Sequence, residues 1–318
     1  MDFFQSARQG NNAWHFYFIG IVLTMVGYFI GQLPLILLLV WKVSNRSDLG
    51  PEDINNFQKS MDFKTFGIDP NIGFFLMILI FFFAMACLYL AVKIHGKKFN
   101  SMITPLGRIN VRKILFGFVL WAFFIIIAEG VTYITDPSVY TFRFSIHRFL
   151  PLLIISLLFL PVQTSFEEIF FRGYLMQGIG FSSRSKVVAI LVSSLLFAFM
   201  HGMNPEISQF GFWTMMFYYM SAGLFLALIT VMDDSLELAL GVHAATNMLG
   251  ATLVTYKGSV LQTDALFIAE EIKPWMMILS FYVSAIIFFR VCSMKYGWKS
   301  LTTIFTPIRY TEESKSMV

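Results

Sequence analysis

The chain has 318 residues, of which 57% are hydrophobic and 13% are charged. Soluble domains contain about 45–50% apolar and about 25% charged residues, so this composition excludes an ordinary soluble protein and indicates a polytopic membrane protein. The net charge of +4 comes from basic residues that cluster beside apolar runs, which is typical of membrane-protein loops, and no nucleic-acid partner is expected.

Apolar runs that are candidate membrane-spanning helices follow one another along the chain. They lie at about 14–41, 72–94, 114–135, 149–163, 187–203, 211–232, 235–256 and 274–293. Several approach the roughly 20 apolar residues that a helix needs to cross a bilayer. The sequence therefore predicts an all-α integral membrane protein, a bundle of about eight transmembrane helices. We expect the fourth run to continue beyond residue 163 as one long helix with a bend at Pro161.

The chain shows no internal boundary. The first apolar run is too long for a signal-peptide core and lacks a small-residue cleavage site, so it is expected to remain in the mature protein. Cys87 and Cys292 both lie inside apolar runs, which argues against a disulfide framework or a thiolate metal site. We predict a single membrane domain at 1–318 with a short cytoplasmic tail at 294–318, which ends in the polar stretch Thr311 to Val318.

The loop between the second and third apolar runs sets the predicted topology. It carries basic residues and no acidic ones: Lys93, Lys97, Lys98, Arg108, Arg112 and Lys113. The positive-inside rule places such a loop in the cytoplasm, so both termini are also expected there. The first loop, 42–71, mixes both charges and is expected outside. These features predict a multi-pass protein of the cell (inner) membrane.

The stretch from Ser165 to Gln177 places three ionisable side chains in a very apolar part of the chain. An intramembrane charge costs on the order of 3 kcal/mol and normally faces a protein interior or a water-filled cavity. Glu168 and Arg172 are spaced i and i+4 on a helix and are expected to pair. Glu167 points about 100° away, which leaves its carboxylate available for protons or a ligand.

Two later segments carry further polar residues. His201 ends an apolar run, a place where a histidine is often an interfacial or capping residue. His243 and Asn247 share a helix face among small residues, where they could simply form interhelical hydrogen bonds. One shared cavity with the two glutamates and the arginine explains all of these residues together.

A second acidic group lies between the sixth and seventh apolar runs. Asp233, Asp234 and Glu237 are expected to form a solvated turn at the cytoplasmic surface rather than a ligand site.

The chemistry of the shared cavity is that of hydrolysis. A carboxylate with a histidine partner can deprotonate water and then protonate a leaving amine. His243 and Asn247 offer N–H donors for an oxyanion. No serine or cysteine has a recognisable nucleophile arrangement, so water is the expected nucleophile. A zinc site built from His201, His243 and a glutamate is an alternative that the spacing leaves open.

These segments resemble the motifs of the CPBP intramembrane endopeptidases, a family that includes the type II CAAX prenyl proteases (Ras-converting enzyme) and bacterial bacteriocin-processing or immunity relatives (Abi family). The motifs EExxxR, FxxxH and HxxxN correspond, in family order, to Glu167, Glu168 and Arg172, to Phe197 and His201, and to His243 and Asn247. The resemblance implies an eight-helix membrane bundle whose catalytic core is expected at 149–256.

The resemblance also implies an activity, which is cleavage of a peptide bond in a membrane-associated protein or peptide. Glu167 and His201 would activate water, His243 and Asn247 would form the oxyanion site, and Glu168 and Arg172 would support them. A glutamic mechanism without a cofactor is favoured over a zinc site of His201, His243 and Glu167.

Two interpretations compete with an endopeptidase. One is a non-catalytic scaffold or bacteriocin-immunity-type protein that binds a peptide in the same fold. The other is a transporter with a proton relay, which predicts repeat symmetry or paired broken helices that this sequence does not show. The lipid bilayer is an expected partner in every case.

Overall fold

The computed structural model describes residues 3–310, apart from the side chains of Pro51 and Gln58. The helices are α1 (Trp14–Ser44), α2 (Pro51–Ser60), α3 (Pro70–Ile94), α4 (Val111–Thr135), α5 (Ile146–Glu168), α6 (Met176–Ser183), α7 (Lys186–Met200), α8 (Glu206–Phe210), α9 (Phe212–Asp233), α10 (Glu237–Thr252) and α11 (Pro274–Tyr296). A π-helical segment, Ile169–Leu175, joins α5 to α6. The strands are β1 (Tyr140–Phe142), β2 (Val254–Tyr256) and β3 (Phe267–Ala269).

Six helices in the described part of the chain are long and apolar enough to cross a membrane: α1, α3, α4, the continuous helix Ile146–Ser183, α9 and α11. Their outward faces expose large apolar side chains, such as Trp14 and Ile134, which suits contact with lipid. The prediction of an all-α integral membrane protein is confirmed. The fifth and seventh apolar runs form the shorter helices α7 and α10, of 15 and 16 residues, so the count of eight spans stays a prediction.

The fourth apolar run continues as one long helix, as predicted. Pro151 and Pro161 lie inside α5, and the change from α to π hydrogen bonding comes later, at Ile169. A π turn inside an α-helix is frequently found at a functional site. Residues 166–178 are all buried, so the stretch with the three ionisable side chains lies in the core of the bundle.

Close helix packing surrounds this core. The helix α1 packs along α3, α7 packs on α9, and α10 packs between α4 and α5. Gly241 permits the contact of α10 with α4, because a Cβ atom there would lie 2.1 Å from the Ile114 carbonyl oxygen. A small residue thus permits close helix packing at Gly241, whereas Gly250 faces open space.

The strands form a small sheet at one end of the bundle in the order β1-β3-β2. The strand β3 pairs antiparallel with β1 and parallel with β2. Because β2 directly follows α10, the sheet anchors the end of a helix that carries two of the predicted site residues.

The opposite end of the bundle holds the acidic turn after α9. The expectation of a solvated turn is wrong for two of its three residues, because the Asp233 and Glu237 side chains are only 1% and 2% exposed. Asp233 Oδ2 accepts a hydrogen bond from Lys113 Nζ at 2.8 Å, and Glu237 Oε1 accepts one from the Asn110 amide at 2.6 Å. Asp234 is exposed.

Part of the predicted tail is packed on the bundle. The amide of Ile308 donates to the Arg184 carbonyl at 2.8 Å, and Lys186 Nζ donates to the Thr303 carbonyl at 3.3 Å. The predicted polar stretch Thr311 to Val318 lies outside the described residues.

Candidate active site

The fold brings all six predicted site residues to one place. Glu167 and Glu168 end α5, and Arg172 lies in the π segment. His201 is the residue after α7, where the chain leaves the helix before Gly202 and Asn204-Pro205. His243 and Asn247 lie on α10. The cluster is thus formed by three helix ends or faces that are far apart in sequence.

Glu168 is the centre of a buried ion pair. Its Oε1 atom accepts from Arg172 Nη1 at 2.9 Å, and both side chains are 0% exposed. The predicted pairing of these two residues is therefore observed. Arg172 Nη2 also donates to the Gly223 carbonyl at 3.2 Å, and the guanidinium lies 4.2 Å from the centroid of the Phe197 ring. These contacts offset part of the cost of burying the two charges.

The same carboxylate orients His243. His243 Nδ1 lies 2.7 Å from Glu168 Oε1, and because a carboxylate only accepts, Nδ1 carries the proton. In the neutral imidazole, Nε2 is then an unprotonated acceptor. It lies 3.6 Å from Glu167 Oε2.

His201 has the same arrangement with a different partner. Its Nδ1 atom lies 2.8 Å from the Phe197 carbonyl oxygen, which also only accepts, so Nδ1 again carries the proton. Its Nε2 atom lies 3.9 Å from Glu167 Oε2. The Phe197 ring packs on the His201 ring at a centroid distance of 4.3 Å, so this phenylalanine fixes the histidine through both its ring and its carbonyl.

Glu167 is held by one oxygen only. Its Oε1 atom accepts from Gln163 Nε2 at 2.5 Å. Its Oε2 atom is buried and has no hydrogen-bond partner, although Nε2 of both histidines faces it. Distances of 3.6 and 3.9 Å are too long for direct hydrogen bonds and are suited to groups that share a bound molecule.

Gln163 is a site residue that the sequence analysis missed. Its Oε1 atom accepts from Asn247 Nδ2 at 2.8 Å, so Asn247 reaches Glu167 through Gln163. The sequence did contain a signal, since Gln163 is four residues before Glu167 and shares its helix face. Its side chain is neutral and belongs to none of the three motifs.

Comparisons with known proteins bear on this site. Residues 147–249 match the family described as Type II CAAX prenyl endopeptidase Rce1-like. The chain is also 31% identical over 264 residues to the uncharacterized protein YyaK of Bacillus subtilis strain 168, an alignment that covers 82% of this chain and 84% of that protein. The chain belongs to the Rce1-like family. The resemblance stated from the motifs is thereby confirmed, and the matched residues of the Rce1-like region include all six predicted site residues. No solved structure matches the chain.

The donors in this Rce1-like site are of the kinds that zinc binds. Two imidazole Nε2 atoms, each fixed by a hydrogen bond at Nδ1, and one glutamate oxygen form a ligand set that zinc accepts. Tetrahedral zinc places its ligand atoms about 3.3 Å apart, which is less than the 3.6 and 3.9 Å found here. Among residues 3–310, no group of three His, Cys, Asp or Glu side chains has metal-binding geometry.

The Rce1-like site is more exposed at His201, whose side chain is 20% exposed, than at Glu167, whose side chain is 9% exposed. The Tyr219 ring packs on the His201 ring with the centroids 4.8 Å apart. Tyr219 donates to Glu206 Oε2 at 3.4 Å, and Glu206 Oε1 accepts from the Val260 amide at 2.8 Å. Burial raises the pKa of Glu206, which lies in the short helix α8 outside the long spans. The sequence analysis did not single out these residues, which connect the loop after β2 to the His201 side of the site.

Proposed function

We propose that the protein is an intramembrane endopeptidase of the CAAX-protease type, which hydrolyses a peptide bond in a membrane-associated protein or peptide. Membership of the Rce1-like family supports this class of activity. The observation that carries the proposal is the unpartnered Glu167 Oε2, which faces the Nε2 atoms of His201 and His243. Buried polar atoms are normally hydrogen-bonded, so an orphaned carboxylate oxygen between two histidines indicates a place for reacting groups.

In the proposed mechanism, Glu167 Oε2 and His201 Nε2 bind the attacking water. Glu167 removes one proton as the water oxygen attacks the carbonyl carbon of the scissile peptide bond. The tetrahedral intermediate then collapses, the C–N bond breaks, and the transferred proton passes to the leaving amine. His201 is positioned to shuttle this proton, since its Nε2 atom lies 3.9 Å from Glu167 Oε2 and its side chain is more exposed than those of Glu167 and His243.

His243 and Asn247 are the proposed oxyanion donors. Asn247 Nδ2 carries two hydrogens and uses one on Gln163, so the second remains available. His243 Nε2 donates only when the imidazole is protonated, and Glu168 at Nδ1 stabilises that charged form. Arg172 pairs with Glu168 and holds its carboxylate in place. The expected magnitude for one such donor is about 10²- to 10³-fold in rate.

If zinc is present, His201, His243 and Glu167 are the residues that would hold it. The ion would then supply Lewis-acid activation of the water. The mechanism above assigns the same residues to proton transfer without a metal, so removal of metal separates the two accounts.

The test uses the purified protein in detergent with fluorogenic peptides, some with a prenylated CAAX end and some with a membrane-spanning segment. The wild type should cleave at least one peptide, and Glu167→Gln should lower the rate by at least about 100-fold while its thermal unfolding temperature stays close to that of the wild type. If neither protein cleaves any peptide above background, the result favours a non-catalytic peptide-binding protein. If both cleave at the same rate, Glu167 is not the catalytic base and the proposed mechanism is wrong. Loss of activity with chelator and recovery with zinc would assign the three residues to metal binding.

A further inference from the structure

Gln163 is the polar residue that contacts the reactive carboxylate without belonging to any motif. It is buried on α5, one helical turn before Glu167. Its two amide atoms contact two different site residues, Glu167 through Nε2 and Asn247 through Oε1. The inference drawn from this contact rests on the proposed function.

The chemistry of the partners determines which way the Gln163 amide points. An ionised carboxylate offers only acceptors, so the NH₂ group of Gln163 must face Glu167 Oε1. The Gln163 oxygen then faces Asn247 Nδ2, a donor, at 2.8 Å. A flipped amide would place two oxygens against each other at Glu167 and two NH₂ groups against each other at Asn247. The three residues therefore form a chain of hydrogen bonds with a single direction.

This chain makes the two oxygens of Glu167 different. The Oε1 atom is held at 2.5 Å by a donor that is itself fixed, whereas Oε2 has no partner. A carboxylate that is free to rotate about its last bond would exchange its two oxygens. A hydrogen bond to one of them removes that freedom and aims the other at the histidines.

We infer that Gln163 is a positioning residue that, oriented by Asn247, holds Glu167 so that Oε2 alone faces the reacting water. Gln163 acts through Glu167, because its hydrogen bonds go to Glu167 and Asn247 and the mechanism assigns it no contact with the substrate. It should therefore affect the chemical step and leave substrate binding almost unchanged. Asn247 consequently has two tasks, since one Nδ2 hydrogen orients Gln163 and the other is the proposed oxyanion donor.

The simplest competing explanation is that Gln163 merely joins α5 to α10. A matched control separates the two explanations, because the same long helix carries a second buried glutamine, Gln177. Its Nε2 atom donates to the Ser101 carbonyl at 2.9 Å, away from Glu167. Methionine has nearly the length and shape of glutamine without its polar atoms. Gln163→Met therefore removes the hydrogen bonds to Glu167 and Asn247, whereas Gln177→Met removes the one to the Ser101 carbonyl, both inside the same long helix.

The experiment measures kcat and KM of the wild type, Gln163→Met, Gln177→Met and Glu167→Gln on a cleaved peptide from the panel. Gln163→Met should lower kcat by about 10- to 100-fold with KM within about twofold, while Gln177→Met keeps wild-type kcat. Equal kcat values for the two methionine variants, in a protein that loses activity with Glu167→Gln, would overturn the inference and leave the proposed function intact. If Glu167→Gln has no effect, the proposed function fails first.

A second measurement does not depend on activity. The infrared carboxylate stretch of Glu167 is identified as the band that Glu167→Gln removes. Gln163→Met should shift that band because Oε1 loses its charge-assisted donor, and Gln177→Met should not. If Gln163→Met folds poorly, the shorter amide of Gln163→Asn provides the same test with a polar side chain. An unshifted band in a folded variant would show that Gln163 does not hold the carboxylate.

Discussion

Two buried charged clusters of this protein differ in how many of their carboxylate oxygens accept hydrogen bonds. The Asp233 cluster consists of Asp233, Glu237, Lys113, Ser235 and Trp298, and the motif cluster consists of Glu167, Glu168, Arg172, His201 and His243. In the Asp233 cluster each of the four carboxylate oxygens has a hydrogen-bond donor: Trp298 and Lys113 for Asp233, and the Asn110 amide and the Ser235 hydroxyl for Glu237. In the motif cluster the Oε2 atoms of Glu167 and Glu168 accept none.

Under the proposed function, this difference separates a cluster that stabilises the fold from a cluster that takes part in catalysis. Both clusters contain two carboxylates and a cation from a basic side chain, and both exclude most of the solvent. A saturated cluster gains the full energy of its hydrogen bonds, whereas an unpartnered buried oxygen costs about 1–3 kcal/mol. A site that retains this cost keeps an atom free for a substrate or a water. Composition and burial alone would not distinguish the two clusters.

The largest expected effect is that of Arg172→Met. This change leaves the Glu168 carboxylate buried with His243 as its hydrogen-bond donor, and removal of one partner of a buried pair costs about 3–5 kcal/mol. We expect a large loss of folded protein and of activity, measured by yield and by thermal unfolding in detergent. The double variant Glu168→Gln/Arg172→Met removes both charges and should recover folded protein. A single variant as stable as the wild type would show that the motif cluster does not depend on this pair.

A smaller effect is expected in the other cluster for Asp233→Asn. The change weakens the contacts of Asp233 Oδ2 with Lys113 and Ser235, which lie at 2.8 and 2.7 Å, and should cost about 1–3 kcal/mol of stability. Because the hydrogen bonds of the Asp233 and Glu237 side chains within the described part of the chain go to Lys113, Ser235, Trp298 and Asn110 and to none of the six site residues, kcat should not change. Thermal unfolding and peptide cleavage measured on the same preparation test both parts. A tenfold fall in kcat at unchanged stability would break the distinction between the clusters.

The smallest effect concerns Lys97, a buried cation whose hydrogen-bond acceptors are neutral oxygens. Its Nζ atom donates to Asn12 Oδ1 at 2.7 Å and to Tyr17 OH at 2.8 Å. Burial lowers the pKa of Lys97 from 10.5 to about 7. Between these two pH values the unfolded chain binds a proton that the folded protein does not, so the stability of the folded protein rises with pH across that window.

Lys97→Met should remove this pH dependence. The unfolding temperature of the wild type should rise from pH 7 to pH 9 relative to that of the variant. His95, which lies nearby, also has a pKa lowered by burial, but it titrates below its ordinary value of 6.5 and does not contribute above pH 7. Parallel pH profiles for wild type and variant would show that Lys97 keeps its proton in the folded protein.

Local spacing was enough to predict much of the motif cluster. Glu168 and Arg172 pair because i and i+4 residues meet on any helix, and this geometry needs no tertiary contact. The same i and i+4 spacing relates Gln163 to Glu167. A neutral amide, however, has many possible hydrogen-bond partners, and its role became visible only when the fold placed Asn247 beside it. The meeting of His201 and His243 with Glu167 was inferred from chemistry and a family resemblance, since they lie on separate helices.

The errors arose where distant parts of the chain meet. The Asp233 turn appeared solvated because its partners, Lys113 and Trp298, are 120 and 65 residues away in sequence. The number of membrane spans, by contrast, stays a prediction. The apolar runs at 187–203 and 235–256 contain α7 and α10, which end before His201 and Leu253 and are 15 and 16 residues long.

The π segment Ile169–Leu175 sets a constraint on chain length rather than on residue type. A π turn contains about one residue more than an α turn, so the helix after it is rotated by about 100° relative to an uninterrupted α-helix. In that orientation the Tyr174 hydroxyl forms a hydrogen bond with His95 Nε2 at 2.7 Å, and Gln177 Nε2 donates to the Ser101 carbonyl at 2.9 Å. Deletion of a single residue here would leave Glu167 on its helix face and turn these anchors away. Sequences that share this architecture should therefore align through the segment without gaps, even where its residues differ.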